Sequence, residues 1–267
     1  MQPLVSIVIP TYGRPDRLVE AVKSVVTQSY TNWELIIVDD NPPRSENRQM
    51  TREAVAGIKL PNEINYIEQP ANFGACKARN VGVEAAKGLY IAFLDDDDVW
   101  FADKLEKQVA VLESEKADLN YCDMYLSYNN RKKYYYHRLL NRPFEILLNR
   151  GFGVCTSAIL IKSQVAIDIG GVDETLPSMQ DYDFLLRVSK KYRLSEVPEA
   201  LFVYKLGDDG ITQNVEKKLL GHKKILSKYI SDYRSLGLNA GLSRQYESIA
   251  DFYSRLGCKG DALKHYL

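Results

Sequence analysis

The chain reads as an α/β fold, with a mostly parallel sheet flanked by helices and a helical C-terminal extension after it. Three observations predict this. Short apolar runs alternate with helix-period segments through the first half. One such run, LYIAFL at 89–94, passes directly into four consecutive aspartates at 95–98. From about Val215 onward the pattern becomes helical and polar. A length of 267 residues suits one large domain with an extension, here divided as 1–210 and 211–267.

Residues 4–9 form the first expected strand, and Pro10, which has no N–H for a ladder, is expected to stop it. Pro15 suits the first turn of a helix over 16–27, whose Leu18, Ala21, Val22, Val25 and Val26 share one face. A second strand at 33–38 runs into the breaker cluster Asp39, Asp40, Asn41, Pro42 and Pro43. A helix over 46–57, a short strand at 65–67, a helix over 75–87, the strand at 89–94 and a helix over 101–114 follow. The second half is less regular. It offers a strand at 158–161, a turn at Gly170 and Gly171, a helix over 181–191 with Phe184, Leu185 and Val188 inward, and a late strand at 201–204. Residues 249–263 resemble one helical hairpin of a tetratricopeptide repeat. A single copy cannot bury a repeat core, so an ordinary helical pair is expected.

Composition excludes several classes. Net charge is zero, with 45% hydrophobic and 26% charged residues, which gives no basic footprint for nucleic acid. Cys76, Cys122, Cys155 and Cys258 form no C-x-x-C pair, and with three scattered histidines there is no zinc ligand set. No basic region precedes an apolar stretch at the start, and no run reaches the roughly 18 apolar residues of a membrane span. The expected location is cytoplasmic, with peripheral contact at the inner face of the cell membrane left open. The segment RKKYYYHR at 131–138 could meet a carbohydrate, a lipid diphosphate or a membrane surface. Its plainer reading is an exposed β-hairpin with a charged rim.

In open parallel sheets, ligands bind beyond the carboxyl ends of strands near a topological switch point. The first strand is followed by Pro10, Thr11, Tyr12, Gly13 and Arg14, the second by Asp39 and Asp40, and the 89–94 strand by Asp95, Asp96, Asp97 and Asp98. Crowded carboxylates call for a cation, and hard divalent ions bridge them to phosphates. A solvated acidic loop is the bland alternative. Lys77 and Arg79 in the intervening segment suit an anion beside helix N-terminal amides, or simply a solvated helix face. No G-x-G-x-x-G follows the first strand and no G-x-x-x-x-G-K-[ST] is present, which counts against dinucleotide and P-loop enzymes.

The ordered set SIVIPTYGRP (6–15), LIIVDD (35–40), NFGA through RN (72–80), FLDDDD (93–98), GGVDE (170–174) and QDYD (180–183) resembles the inverting GT-A glycosyltransferases of family 2, over about residues 4–210. The resemblance implies a donor site in which Pro10, Thr11, Tyr12 and Asp39 hold a nucleotide base, Asp39 at a uracil edge, with Asp40 beside it. Arg14, Lys77 and Arg79 fall in donor-binding segments, the last two along the ribose and diphosphate. The D-x-D signature falls on Asp95, near the ribose, and Asp97, on a Mn²⁺ or Mg²⁺ ion, with Asp96 in the variable middle position. Asp181 matches the catalytic carboxylate and would act as general base; it also suits a helix N-cap. Asp98 suits the cap of the next helix. Gln180 stands where relatives carry Glu, and no histidine occupies the 205–213 segment, where Asp208 or Asp209 could substitute.

The implied activity is metal-dependent inverting transfer of a sugar from a nucleotide sugar, a UDP-sugar by expectation, to a hydroxyl of a glycan or lipid-linked acceptor in bacterial polysaccharide assembly. A sugar-phosphate nucleotidyltransferase is the rival enzyme, and it lacks its Gly-rich basic loop here. A non-catalytic nucleotide-sugar-binding or scaffold protein on a degenerate transferase fold is the other reading.

Overall fold

The computed structural model describes residues 2–58, 62, 64–129, 131–139, 141–151, 153–206, 214–258 and 260–262. The chain divides into two compact units that interleave along the sequence. Met1–Arg138, Val154–Val172 and Lys191–Leu206 make the first; Leu139–Gly153, Asp173–Lys190 and Gly207–Leu267 make the second. The expected boundary at 210/211 lies outside the described residues, as do Asp208 and Asp209.

The first unit is built on one sheet. Strands β1 (Val5–Thr11), β2 (Trp33–Asp39) and β3 (Ile64–Glu68) lie parallel, linked by α1 (Pro15–Val26) and α2 (Glu46–Ala56). Helix α3 (Ala75–Ala85) then returns the chain to place β4 (Tyr90–Phe93) on the other flank of β1. The chain order thus reverses between β1 and β4, which opens a crevice at their carboxyl ends. Beyond β4 the sheet is mixed. After β5 (Val99–Trp100), α4 (Lys104–Ser114), β6 (Leu119–Tyr128), β7 (Arg131–Tyr135), β8 (Ile159–Lys162), α6 (Ser163–Asp168) and β9 (Leu194–Lys205) complete the unit. The strand order is β3-β2-β1-β4-β8-β6-β9-β5, with β7 paired to β6 as the exposed hairpin expected from residues 131–138.

Three details depart from the sequence reading. Pro10 does not end β1, because its missing N–H would face β4, whose ladder already ends at Val8 opposite Phe93. The strand continues to Thr11, whose carbonyl accepts from Asp40 N–H at 2.9 Å. Strand β6 had no counterpart in the apolar pattern, since Asn120 interrupts it. That side chain is buried all the same, accepting from Gln108 (3.0 Å) and donating to Ser195 (2.9 Å). Helix α4 begins at Lys104 rather than 101, because Val99 and Trp100 pair with β9 first.

Helix α3 lies tightly on β1: a Cβ added to Gly82 would stand 2.2 Å from Val8 Cγ1. Lys104, fully buried at the start of α4, holds its ammonium 4.1 Å above the Trp100 ring and donates to Gln108. Burial lowers its pKa to about 8.

The second unit joins α5 (Pro143–Arg150), α7 (Gln180–Ser189), α8 (Val215–Ser235) and α9 (Asn239–Arg255). The last carbonyls of α5 lie beyond the reach of the helix's own N–H groups, apart from that of Leu147, which accepts from the capping Gly151 N–H at 2.9 Å. Tyr182 and Tyr233 hydroxyls donate to those of Leu147 (3.0 Å) and Leu148 (3.1 Å), and Arg244 Nε to that of Asn149 (2.7 Å). The residues likened to a repeat hairpin include Ile249, which sits in the body of α9, a helix that starts ten residues earlier at Asn239 and packs on α8.

Two predictions follow from this packing. Gly82→Ala should destabilise the fold by about 1–3 kcal/mol through overpacking, seen as a lower denaturant midpoint, and Val8→Ala in the same chain should recover part of the loss. The folded-state pKa of Lys104 lies below its ordinary 10.5, so the unfolded chain binds more protons between about 8 and 10.5. Stability should therefore rise as pH is raised through that window, and denaturation at stepped pH should find the rise diminished in Lys104→Met.

Candidate active site

The crevice between β1 and β4 collects most of the residues singled out from the sequence. The turn after β1 is held by Asp96: Thr11 Oγ1 donates to its Oδ2 at 2.8 Å, and Tyr12 N–H reaches the same atom at 3.3 Å. Pro10 lies buried within that strand, and Tyr12 is exposed just beyond its end. Gly13, at φ +69°, takes the left-handed conformation and donates its N–H to Asn41 Oδ1 at 2.8 Å. Arg14 then folds back over the acidic run. Its guanidinium pairs with Asp97 and lies 2.6 Å from Asp96 Oδ1. From the other side Arg79, on the buried face of α3, pairs with Asp95, which also accepts from Thr156 Oγ1 at 3.2 Å. Lys77 stands half-exposed on the same helix.

Burial dominates the acid–base behaviour of this run. Asp96 is pushed up to about 6, chiefly by burial; Arg14 and Thr11 oppose that, and the charge of Asp97 adds to it. Asp97 is raised by burial and by Asp95, against the pull of Arg14. Asp98 is held well above the ordinary carboxylate range by burial and then by the charges of Asp95 and Asp97. It is no helix cap. Helix α4 starts six residues later, and Asp98 instead accepts the N–H of Lys205 at 3.1 Å inside the fold.

At the end of β2 two neighbouring carboxylates do different work. Asp39 is fully buried; its Oδ1 accepts from Asn41 N–H and Nδ2, both at 2.8 Å, and its Oδ2 accepts from the Tyr66 hydroxyl. Arg48, on α2, donates to the carbonyls of Asp39 (3.1 Å), Asn41 and Gln69 (2.7 Å), which locks three chain segments around that carboxylate. Asp40 faces α3. It accepts from Gln69 Nε2 (2.6 Å) and from the N–H groups of Phe73 and Gly74 (both 2.8 Å), which shapes the turn that starts α3. Burial raises its pKa and those two amides oppose the rise.

Asp181 belongs to the second unit, at the second residue of α7, where a negative charge is favoured by the helix dipole. It is not the cap expected from the sequence. The helix begins at Gln180, and the cap position is Met179, whose φ of +63° is strained for a residue with a side chain, at a cost of about 1–2 kcal/mol. Asn41, Arg48, Tyr66, Gln69, Thr156 and Ser157 were not singled out from the sequence. They are ordinary polar residues scattered over a loop, α2, β3 and a short 3-10 turn, and only the fold shows that they grip the candidate carboxylates.

Among the described residues no group of three or more His, Cys, Asp or Glu side chains forms a ready-made metal cage. The donor chemistry nevertheless fits a hard divalent cation. Asp95 and Asp97 present partly exposed carboxylate oxygens, and a cationic guanidinium already stands against Asp97.

Residues 6–161 match the model of glycosyl transferase family 2. The chain belongs to that family. An Escherichia coli relative, the UDP-Glc:alpha-D-GlcNAc-diphosphoundecaprenol beta-1,3-glucosyltransferase WfaP, is 30% identical over 241 residues, covering 89% of this chain and 88% of its own. Two solved structures share the fold at low identity. S. aureus TarS in complex with UDP-GlcNAc has a TM-score of 0.66 at 17% identity, over 98% of this chain and 90% of its own. The mannosyltransferase PcManGT of Pyrobaculum calidifontis, in complex with GDP-Man and Mn²⁺, has 0.67 at 15%, over 97% and 76%. The chain is a GT-A glycosyltransferase, and the α/β expectation holds, with a parallel first half and a mixed remainder.

Asp40→Asn replaces one of the oxygens that hold the 72–74 turn by an amide donor. We expect a loss of about 1–2 kcal/mol in stability, with faster hydrogen exchange at Phe73 and Gly74. Unaltered exchange there would remove Asp40 from its role as anchor of α3.

Proposed function

We propose that this family 2 glycosyltransferase moves a sugar from a UDP-sugar to a hydroxyl of a lipid-linked or polymeric glycan, with inversion and with a divalent metal. The observation that carries this reading is the acidic run at the β1–β4 crevice, bracketed by Arg14 and Arg79. Carboxylates and arginines together at one sheet edge suit a metal-bound diphosphate. The name of WfaP, with its UDP-glucose donor and diphosphoundecaprenol acceptor, supports the donor and acceptor classes. PcManGT, bound to GDP-Man and Mn²⁺, supports the metal.

In this reading Asp39 accepts from a donor N–H of the base, and the 10–12 turn lies along the nucleoside. Arg14, Lys77 and Arg79 turn toward the diphosphate, Asp95 toward the ribose, and Asp96 and Asp40 hold the surrounding backbone. Asp97 holds Mn²⁺ or Mg²⁺, which supplies Lewis-acid stabilisation of the leaving diphosphate when bound. Asp181 takes the proton of the acceptor hydroxyl as its oxygen attacks the anomeric carbon in line. The bond from that carbon to the diphosphate breaks, the nucleoside diphosphate leaves with the electron pair, and the configuration inverts. No helix among the described residues is long and apolar enough to cross a membrane. A lipid-linked acceptor would be met at the membrane surface, and the basic, tyrosine-bearing hairpin of β7 is the segment suited to that contact.

The test is a panel of UDP-glucose, UDP-GlcNAc and GDP-mannose, scored for binding and for slow hydrolysis with and without Mn²⁺. Asp97→Ala is expected to lose metal-dependent donor binding. Asp181→Asn is expected to keep binding and to lower turnover by about a hundredfold or more. Metal-independent binding of every donor, or equal loss of donor binding in both variants, would contradict this division of labour.

A further inference from the structure

Helix α8 lies in the 211–267 extension, yet one of its faces grips the segment that leads into Asp181. Four residues on that face, Lys217, Gly221, Lys224 and Lys228, are spaced four, three and four apart, as one stripe of a helix requires. Between them they meet residues 173–183 at Asp173, Thr175, Ser178 and Asp183. The Lys217 carbonyl accepts from Ser178 Oγ at 3.0 Å. Gly221 lies so close to Ser178 that an added Cβ would stand 2.1 Å from its Oγ and 2.9 Å from its carbonyl oxygen. Lys224 donates to the carbonyl of Thr175. Lys228 Nζ bridges Asp173 (3.0 Å) and Asp183 (2.8 Å). Tyr229, next along the helix, donates to the same Asp183 oxygen at 2.8 Å, while Arg187 takes the other at 2.8 Å.

The gripped segment contains the strained residue of this region. Met179 sits at φ +63° between the clamped Ser178 and the first turn of α7, two residues before Asp181. A strained backbone persists where its surroundings over-determine it. Here the surroundings are Ser178 on one side, Asp183 on the other, and α8 holding both. We propose that α8 is the positioning element for Asp181, with Gly221, Lys228 and Tyr229 as positioning residues that fix the 173–183 turn and through it the general base. This rests on the reading of Asp181 as base given above. It assigns the polar C-terminal helix a part in turnover and leaves donor binding to the residues at the β1–β4 crevice.

The test joins exchange with kinetics on the full chain. Lys228→Met combined with Tyr229→Phe removes the hold on Asp183, and Gly221→Ala forces α8 off Ser178. Should the double variant fail to fold by circular dichroism, Lys228→Met alone takes its place. Hydrogen exchange over residues 173–183 is expected to quicken by about tenfold in these variants. With whichever donor of the panel is hydrolysed fastest, kcat should fall by about tenfold and KM for the donor stay within about twofold. In an Asp181→Asn chain the same α8 substitutions should leave the residual kcat where it is, because a residue acting through Asp181 has nothing left to position. Unchanged exchange over 173–183 overturns the proposal. So does quicker exchange with full kcat, or a further loss of kcat in the Asp181→Asn background. If Asp181→Asn alone keeps full turnover, the base assignment itself fails, an outcome distinct from the others because it appears before any α8 residue is touched.

Discussion

Carboxylates that leave one strand end within a single turn of chain repel each other, by about 4 kcal/mol for a pair 4 Å apart in a protein-surface medium. The 95–98 run survives because every member has been given a partner from elsewhere in the fold. Arg79 comes from α3 to Asp95, Thr11 and Tyr12 come from β1 to Asp96, Arg14 reaches Asp96 and Asp97, and the backbone of Lys205 reaches Asp98. Much of the surrounding architecture serves this neutralisation. Strand β1 must run on past Pro10 to deliver Thr11. Helix α3 must lie close enough to β1 to bring Arg79 in, which is why its contact face carries Gly82. The short 3-10 turn Thr156–Ala158 supplies Thr156 to Asp95 and Ser157 Oγ to the Asp95 N–H at 3.0 Å.

The pair at the end of β2 illustrates the same economy. Successive residues of a strand point to opposite sides, so Asp39 and Asp40 face different neighbours although they adjoin in sequence. One is enclosed by Asn41, Tyr66 and Arg48, the other by Gln69 and the amides of Phe73 and Gly74. Buried carboxylates need such enclosure, because an unpaired buried charge is costly. The dipeptide therefore sets the shape of the rim at the end of β2 as well as lining it.

The N-terminal half of the fold was readable because its strands are continuous apolar runs, its helices carry an amphipathic face, and its breakers cluster between them. The 33–38 run and β2 differ by one residue, as do the 16–27 helix and α1 at each end. Readability failed where polar side chains are buried. Asn120 and Ser195 satisfy each other inside the sheet, so β6 and the first half of β9 carry no apolar signature. At the site, the order of motifs identified Asp39, Asp95, Asp97 and Asp181 as candidates. It could not show which carboxylates face inward, and Asp98 looked like a cap only because the two-residue strand β5 left no signal. Arg48, Tyr66 and Ser157 are legible only in three dimensions, since nothing about a lone polar residue tells which distant carboxylate it will meet.

The hydrogen bonds that shape the crevice join residues far apart in the chain. Thr11 and Asp96 are separated by 85 residues, Asp95 and Ser157 by 62, and Asp98 and Lys205 by 107. Such closures carry the largest loop-entropy cost and are slow to form. The crevice therefore cannot take shape until those distant segments of the first unit have met. A half-folded chain holds the aspartates but not the geometry, so an intact crevice certifies that β1, β4 and β9 have all found their places.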